Sequence, residues 1–537
     1  VLNNICYYLD TEFQEQLTFP TIQRNVQSDV LLAIGRRWLS QCQSSHPQCK
    51  QSPSSKYNWY PTRLLDVGEE GSTSWKLRVV SEDGNPSPPA AYLTLSYRWG
   101  HKPNAILLSS NIASFRRGSP VSCLPMLFRE FISIAWHFSI RYIWIDALCI
   151  IQDSEEDWDT EAATMHLVYS NSTCNIAASD SANPEESLFR TKDLGLILPG
   201  LIESSLFSTE PRPCYIFDKS YWDRQICNGP LHNRGWVFQE RFLAPRVLYF
   251  GKNQLLWECR IQHRCEVFPN GIPIHWSDKA MDALLETSPA DDPIKSGRFP
   301  MDTFSFWNDL VQKYSRCDLT YPSDKLLAMA GVAKLFQGAI NEKYLAGLWS
   351  SHVLTMMDWR VYDPRPRQST QYRAPSWSWA SVDGPIRMCG LSAGAEFLVE
   401  LLSAEVTTKL PDEMSTVLEG FVMLKGRLIA AVLQHVNPPF ATFLTEFSQF
   451  SVQIHPDTTD IKLAENGYIR YVPFKLSYQY GENRERTPCV ICLMLEEANR
   501  APDSQIQYRR IGCFNFYGQD KIDSFCFEAE IQVFKVL

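Results

Sequence analysis

Between residues 91 and 178 short apolar runs alternate with longer amphipathic ones, and this alternation limits the possible folds more than any other feature of the chain. Tyr92–Tyr97 (YLTLSY) has the length and composition of a strand. Leu124–Phe138 (LPMLFREFISIAWHF) carries a broad apolar face at helical spacing. Arg141–Ile145 (RYIWI) is almost wholly apolar, as expected of a strand covered on both faces. In Glu155–Tyr169 the residues Trp158, Ala162, Met165 and Tyr169 share one helical face, and Thr173–Ala178 (TCNIAA) is a further short strand. The order β-α-β-α-β predicts a parallel sheet with right-handed crossovers, hence an α/β fold.

Three stretches follow from this core. Residues 1–90 predict an irregular N-terminal segment. It holds a helix over Asp29–Gln43, Ser/Pro-rich turns, a strand near Trp75–Val80 and the linker Glu82–Pro89 (EDGNPSPP). Residues 91–390 hold the α/β domain. After a loop-rich region over 180–230, Arg234–Phe242 (RGWVFQERF) reads as a helix. Arg246–Phe250 and Gln254–Cys259 read as a hairpin about Gly251-Lys252-Asn253. Helices are predicted near Thr303–Ser315, Asp324–Phe336 (Ser323 as N-cap) and Leu345–Asp358, before a turn-rich aromatic segment over Arg373–Gly384. From about residue 395, runs such as FVMLKGRLIAAVL and CVICLML predict an antiparallel, β-rich extension over 391–537. There is no internal repeat and no low-complexity tract.

Composition excludes several classes. With 537 residues, 45% of them hydrophobic and 21% charged, the chain is neither disordered, collagen-like nor a coiled coil. Its 51 Lys and Arg against 60 Asp and Glu leave a net charge of -9, which disfavours nucleic acid as a partner. The 16 cysteines are dispersed, several in apolar runs, so a reduced, cytoplasmic setting is expected rather than a disulfide framework. No apolar stretch reaches the length of a membrane span, and Val1–Asn4 does not open a secretory signal. Aromatics make up 12%, enough for a thick aromatic core or an aromatic-lined cavity.

Four segments together resemble the fungal HET (heterokaryon incompatibility) domain family: YLTLSYRWG at Tyr92–Gly100; WIDALCIIQDSEEDW, MHLVYSNS and NIAAS within Tyr142–Phe189; RGWVFQERFLAPRVLYFGKNQLLWEC at Arg234–Cys259; and LTYPSDKLLAMAGVAK, YLAGLW and APSWSWASVDG within Leu319–Gly384. Their order and spacing follow the family layout over roughly residues 85–390. Small departures are Ile151, where the family often has Asn, and Ser187, where it often has Gly. The resemblance implies a TIR-like parallel sheet core with helical elaborations. Enzymatic TIR members cleave NAD with a helix-borne Glu, and stand-alone HET-like proteins of fungal natural-product pathways are thought to catalyse cyclisations, including pericyclic ones. The family name itself denotes cell death after fusion of unlike hyphae.

In an open parallel sheet, ligands gather at the carboxyl ends of the strands. Here those ends carry Arg98, Asp146, Ser179 and Asp180. Arg98 suits a carbonyl or carboxylate, and Asp146 follows an apolar strand, where burial raises a carboxyl pKa. An Arg98–Asp146 ion pair, or Asp146 capping the next turn, is the plainer reading. Glu161, at the border of the Trp158/Met165 face, suits a general base or simply a salt-bridged helix face. Tyr97, Trp99, Arg234, Trp236 and Glu240 are further candidates for a substrate pocket. Trp377 and Trp379 in PSWSWAS would point the same way on a strand, as pocket walls or core.

Cys489-x-x-Cys492 lacks a second pair, and Cys259, His263 and Cys265 lack an evident fourth ligand, so no metal is expected. There is no Walker A motif, no G-x-G-x-x-G and no G-x-S-x-G. The combined expectation is a cofactor-independent enzyme of fungal secondary metabolism. It would cyclise a small, largely apolar molecule in a pericyclic, Diels-Alder-type step, with Arg98, Asp146 and Glu161 catalytic. The alternatives are a cell-death effector that hydrolyses NAD, and a non-catalytic interaction module. Nothing in the sequence gives the oligomeric state.

Overall fold

The computed structural model describes residues 7–9, 28–49, 59–84, 91–100, 105–205, 210–217, 220–226, 229–272, 279, 300–368, 371–388, 395–437, 439–446, 448–460, 467–480, 486–498, 506–527 and 529–537. Most of the Glu82–Pro89 linker, the Ser/Pro-rich turns over 50–58 and Val1–Asn4 lie outside the described residues. The chain forms two units, Val1–Ser288 and Pro289–Leu537, so the division falls inside the 91–390 stretch.

The first unit is built on a nine-stranded mixed sheet. At its centre Tyr92–Ser96 lies between Tyr142–Trp144 and Cys174–Ala177, parallel to both, and Arg246–Phe250 extends the parallel set. The apolar runs become strands here because helices cover them: Met126–His137 buries Leu127, Phe128, Phe131 and Ile132, and Glu155–Ser170 buries Met165, Val168 and Tyr169. Ser154 caps the second helix by accepting from the Asp157 amide, and three acids occupy its first turn, where the helix dipole favours them. The expected hairpin forms as Arg246–Phe250 against Leu255–Cys259.

The N-terminal segment is more regular than its composition suggests. Arg63–Asp66 and Ser74–Val79 pair with each other, and Arg63–Asp66 joins the central sheet antiparallel to Tyr142–Trp144. Helix Ser28–Ser45 buries Leu31, Leu32, Trp38, Leu39 and Cys42. Within the loop-rich stretch, Gly200–Ser204 and Arg212–Phe217 pair, and Tyr7–Leu9 adds a third strand.

The second unit has helices Pro300–Tyr314 and Leu327–Ile340 and a closed six-stranded antiparallel barrel. The barrel runs Ile429–Asn437, Phe440–Leu444, Gln449–Pro456, Gln507–Tyr517, Arg486–Glu497 and Tyr468–Tyr480, which pairs back to the first strand. Two expectations fail in this unit. The helix over Leu345–Asp358 is replaced by the two-strand turn Tyr344–Leu345/Leu348–Trp349, because Ala346 and Gly347 adopt positive φ. Only Val353–Met357 of that stretch is α-helical. Ser323 is not an N-cap: it lies in the 3₁₀ turn Pro322–Lys325 and its hydroxyl donates to Asp324.

Candidate functional site at the strand ends

Alternate residues of a strand share a face, so Thr94 and Ser96 point the same way from the central strand. Both are buried, as is Asn175 on the adjacent strand. The Thr94 hydroxyl donates to Asn175 Oδ1 at 3.0 Å, Asn175 Nδ2 donates to Ser96 Oγ at 2.8 Å, and the Ser96 hydroxyl donates to Glu240 Oε2. Every donor in this chain points toward Glu240, so each bond polarises the next. The Tyr169 hydroxyl joins the same Ser96–Glu240 pair.

Just past the strand, Trp99 Nε1 donates to Asp146 Oδ2 at 2.7 Å, and the Ala147 amide donates to Asp146 Oδ1 at 2.7 Å. The Tyr97 hydroxyl also bonds Asp146. Arg234, immediately before helix Gly235–Leu243, donates to the Tyr97 carbonyl at 2.5 Å and acts electrostatically on both Asp146 and Glu240. Gly100 closes the turn at φ +72°, where an added Cβ would lie 2.8 Å from Asn183 Cβ, so only glycine fits without strain.

Burial dominates the electrostatics. It pushes the Glu240 carboxyl up to about 7, and repulsion from Asp146 adds to this, while the Ser96 hydrogen bond, Arg234 and Tyr169 oppose it. Burial also raises Asp146, against Trp99 and Arg234. The Tyr97 phenol is pushed well up by burial and then by Asp146, so it stays a donor. Glu240, repelled by Asp146 and facing the same guanidinium, can hold and release a proton near neutral pH.

Residues 92–240 match the family model of the heterokaryon incompatibility protein (HET). No curated protein and no solved structure matches the chain. Ser96, Tyr97, Trp99, Asp146, Tyr169, Arg234 and Glu240 all lie within the HET match.

Of the residues expected at the site, Tyr97, Trp99, Asp146, Arg234 and Glu240 come together within the HET segment. Arg98 is half-buried and makes no hydrogen bond or ion pair among the described residues, so the Arg98–Asp146 pair does not form there. Trp236 is half-buried, edge-on to Trp158 at 6.3 Å, and lies one turn before Glu240 on the same helical face. Asp180 pairs with Arg190 at 3.1 Å, and Ser179 meets His232 at 3.2 Å.

Glu161 sits in a different cluster. Only 2% exposed, it has an oxygen 3.7 Å from Arg63 Nη1. That guanidinium also pairs with Asp157 and donates to the Cys149 carbonyl at 2.7 Å. Burial raises the Glu161 carboxyl, opposed by Thr62 and Arg63. Trp377 and Trp379 belong to the second unit, in a turn and a 3₁₀ helix rather than on a strand, and both are 0% exposed. Trp379 Nε1 donates to the Gly347 carbonyl, and the Trp377 carbonyl accepts from Trp359. They are core there, and neither borders that unit's 430 Å³ cleft between Arg367, Arg373, Glu419 and Arg509.

Helix Gly235–Leu243 serves two networks. Glu240 faces the strand ends, while Arg241 pairs bidentately with Glu258, at 3.0 and 2.9 Å. Glu258, 0% exposed, also accepts from Tyr249, meets His263 at 3.2 Å and Lys279 at 3.5 Å. Burial works against its ionisation, yet Arg241, Lys279 and His263 hold it well below the usual carboxylate range. Arg234 and Arg241, seven apart in sequence, therefore serve different partners. His263 and Cys265 are not co-ligands of Cys259: His263 turns to Glu258 and Cys265 to Tyr221, while Cys259 faces Cys42, His46 and Cys49.

Sequence reasoning missed Thr94, Ser96, Tyr169 and Asn175. The available signal was polar residues at alternate positions of a fully buried strand, which requires partners on that face.

Proposed function

We propose that the strand-end cluster is the catalytic site of an enzyme that converts a small, largely apolar molecule into a cyclic isomer without metal or redox cofactor. A pericyclic, Diels-Alder-type closure in fungal secondary metabolism, in a cytoplasmic setting, is the form favoured. The observation that carries this reading is Glu240: a buried carboxyl at the carboxyl ends of parallel strands, fed by three aligned donors and titrating near neutral pH. Glu240 takes a proton from the substrate and returns it at another atom, giving the reactive tautomer that then closes without further proton transfer, so the product is an isomer, and Asp146 tunes Glu240 by repulsion. Arg98 polarises a substrate carbonyl. The half-buried indoles of Trp99, Trp158 and Trp236 give the guest apolar surface and hold it in a reactive conformer.

A cell-death effector that cleaves NAD is the second reading, favoured by the family match. On either reading the acidic, parallel-stranded site is TIR-like. Phosphate recognition separates the two: the sequence has no glycine-rich loop to cradle the pyrophosphate of a dinucleotide. Glu161, beside Arg63 and Asp157, is assigned to holding the N-terminal strand and not to catalysis.

The test compares metabolites of the source strain with those of strains in which the gene is deleted or carries Glu240→Gln. The reading expects one product to vanish and a compound of identical elemental composition to accumulate in both altered strains. An unchanged metabolite profile, together with Glu240-dependent nicotinamide release from NAD by the purified protein, overturns it in favour of the effector.

A further inference from the structure

The Ser28–Ser45 helix places Cys42 in its last turn. The backbone then winds on, with His46 N donating to Cys42 O at 3.1 Å and Cys49 N to His46 O at 3.1 Å, which keeps the three side chains on one side. Cys259, the last residue of Leu255–Cys259, meets them from the hairpin, 213 positions from His46 in the chain. One ligating atom from each of Cys42, His46, Cys49 and Cys259 lies within 4.8 Å of the other three, and Cys259 Sγ is 3.4 Å from His46 Nδ1. A tetrahedral zinc with Zn–S near 2.3 Å and Zn–N near 2.0 Å spaces its ligand atoms about 3.5–3.8 Å apart.

We infer that Cys42, His46, Cys49 and Cys259 bind one zinc ion in a closed, four-ligand structural site that fastens the N-terminal helix to the edge of the central sheet. Three observations support zinc over four idle side chains. All three cysteines are buried, so the ion would be shielded from solvent on three sides. Arg246 Nε donates to Cys42 Sγ at 3.2 Å and its Nη2 to the Cys49 carbonyl at 2.9 Å. Three thiolates and a neutral imidazole on a dication leave one negative charge, which this guanidinium offsets. Arg260 holds the following turn through the Gln48 carbonyl at 2.7 Å, and Arg264 holds the end of the helix through Gln41 Oε1, so the ligands are held by their surroundings as metal ligands usually are. A disulfide between two of the cysteines would leave the third thiol and the histidine without purpose.

The experiment is metal analysis of the full chain, purified under reducing conditions from zinc-supplemented cells. The expected result is about one zinc per chain, reduced to less than about a tenth in Cys259→Ser and retained in Cys123→Ser, which alters an exposed cysteine outside the cluster. Because Cys259→Ser removes a tie between distant segments and its folding is at risk, the wild-type chain is also stripped with a chelator and given Co²⁺ alone. It should then show the absorption of a tetrahedral cobalt–thiolate centre, with a lower melting temperature while metal-free. Wild-type protein that carries no zinc and gives no cobalt spectrum overturns the inference, as does a mass two hydrogens light from a Cys42–Cys49 or Cys42–Cys259 disulfide.

Discussion

Glu240 is held neutral by its surroundings, and that has a measurable consequence for stability. Burial pushes its carboxyl up to about 7 in the folded chain, against about 4.5 for an ordinary glutamate. Between those values the folded state keeps a proton that the unfolded state has lost, so stability falls as pH rises through the interval and levels off above it. Glu240→Gln removes the titration. Relative to wild type, the variant should gain about 3 kcal/mol between pH 4.5 and pH 8, read from urea unfolding at the two values. A gap that does not change with pH would mean that Glu240 is ionised in the folded state throughout. Arg63 gives the opposite kind of residue-scale prediction. Replacing it with Met leaves Asp157 and Glu161 without their shared cation, which should cost about 3–5 kcal/mol at neutral pH and less in acid, as the buried Glu161 carboxyl becomes protonated. An Arg63→Met variant as stable as wild type at pH 7 would show that this pairing does not form.

At the scale of elements, the helices and strands that formed as expected are those with long, periodic patterns. Met126–His137, Glu155–Ser170 and the three central parallel strands needed only apolar spacing to be read. The misreadings have local backbone causes. YLAGLW has helix-compatible apolar spacing, but Gly347 sits at φ +101° with the Trp379 indole packed against it. An added Cβ there would lie 2.6 Å from Trp379 Nε1, and the Gly347 carbonyl accepts from both Trp307 and Trp379. Gly347→Ala should therefore destabilise the second unit by about 2–3 kcal/mol, through strain and displaced indoles. Tryptophan fluorescence during chemical unfolding of the full chain would report it, and an unaltered midpoint would refute the packing described. The Arg63–Asp66 strand went unread because it is four residues long, and its fate depends on a pairing with Tyr142–Trp144 that only tertiary structure supplies.

For the whole molecule, what was legible depended on how far apart the cooperating residues lie. The α/β core and the antiparallel, β-rich character of the extension could be read from pattern, because each strand carries its own signal, whereas its closure into a barrel could not. Asp146 could be named from its strand end, where chemistry collects, and Arg234 and Glu240 from the dense polar and aromatic residues of RGWVFQERF. Their connection through Ser96, Asn175 and Tyr169 could not, because a hydrogen-bond chain across three elements leaves no spacing in one. Glu161 shows the converse: its position on the helix suggested chemistry, and its partner Arg63 lies in a segment that read as irregular. The Cys42/His46/Cys49/Cys259 cluster is the extreme case, with Cys42 at the end of a helix, His46 and Cys49 just after it, and Cys259 on the distant hairpin. The catalytic proposal rests on Glu240 transferring a proton at the strand ends, and its most direct test is in solution. The isomer that accumulates in the deletion strain would be isolated and incubated with the purified chain, with no cofactor added. Wild-type protein should convert it to the missing product, and Glu240→Gln, folded and of equal concentration, should do so about 10²–10⁴-fold more slowly. Equal rates for the two proteins, or no conversion by either, would contradict the account.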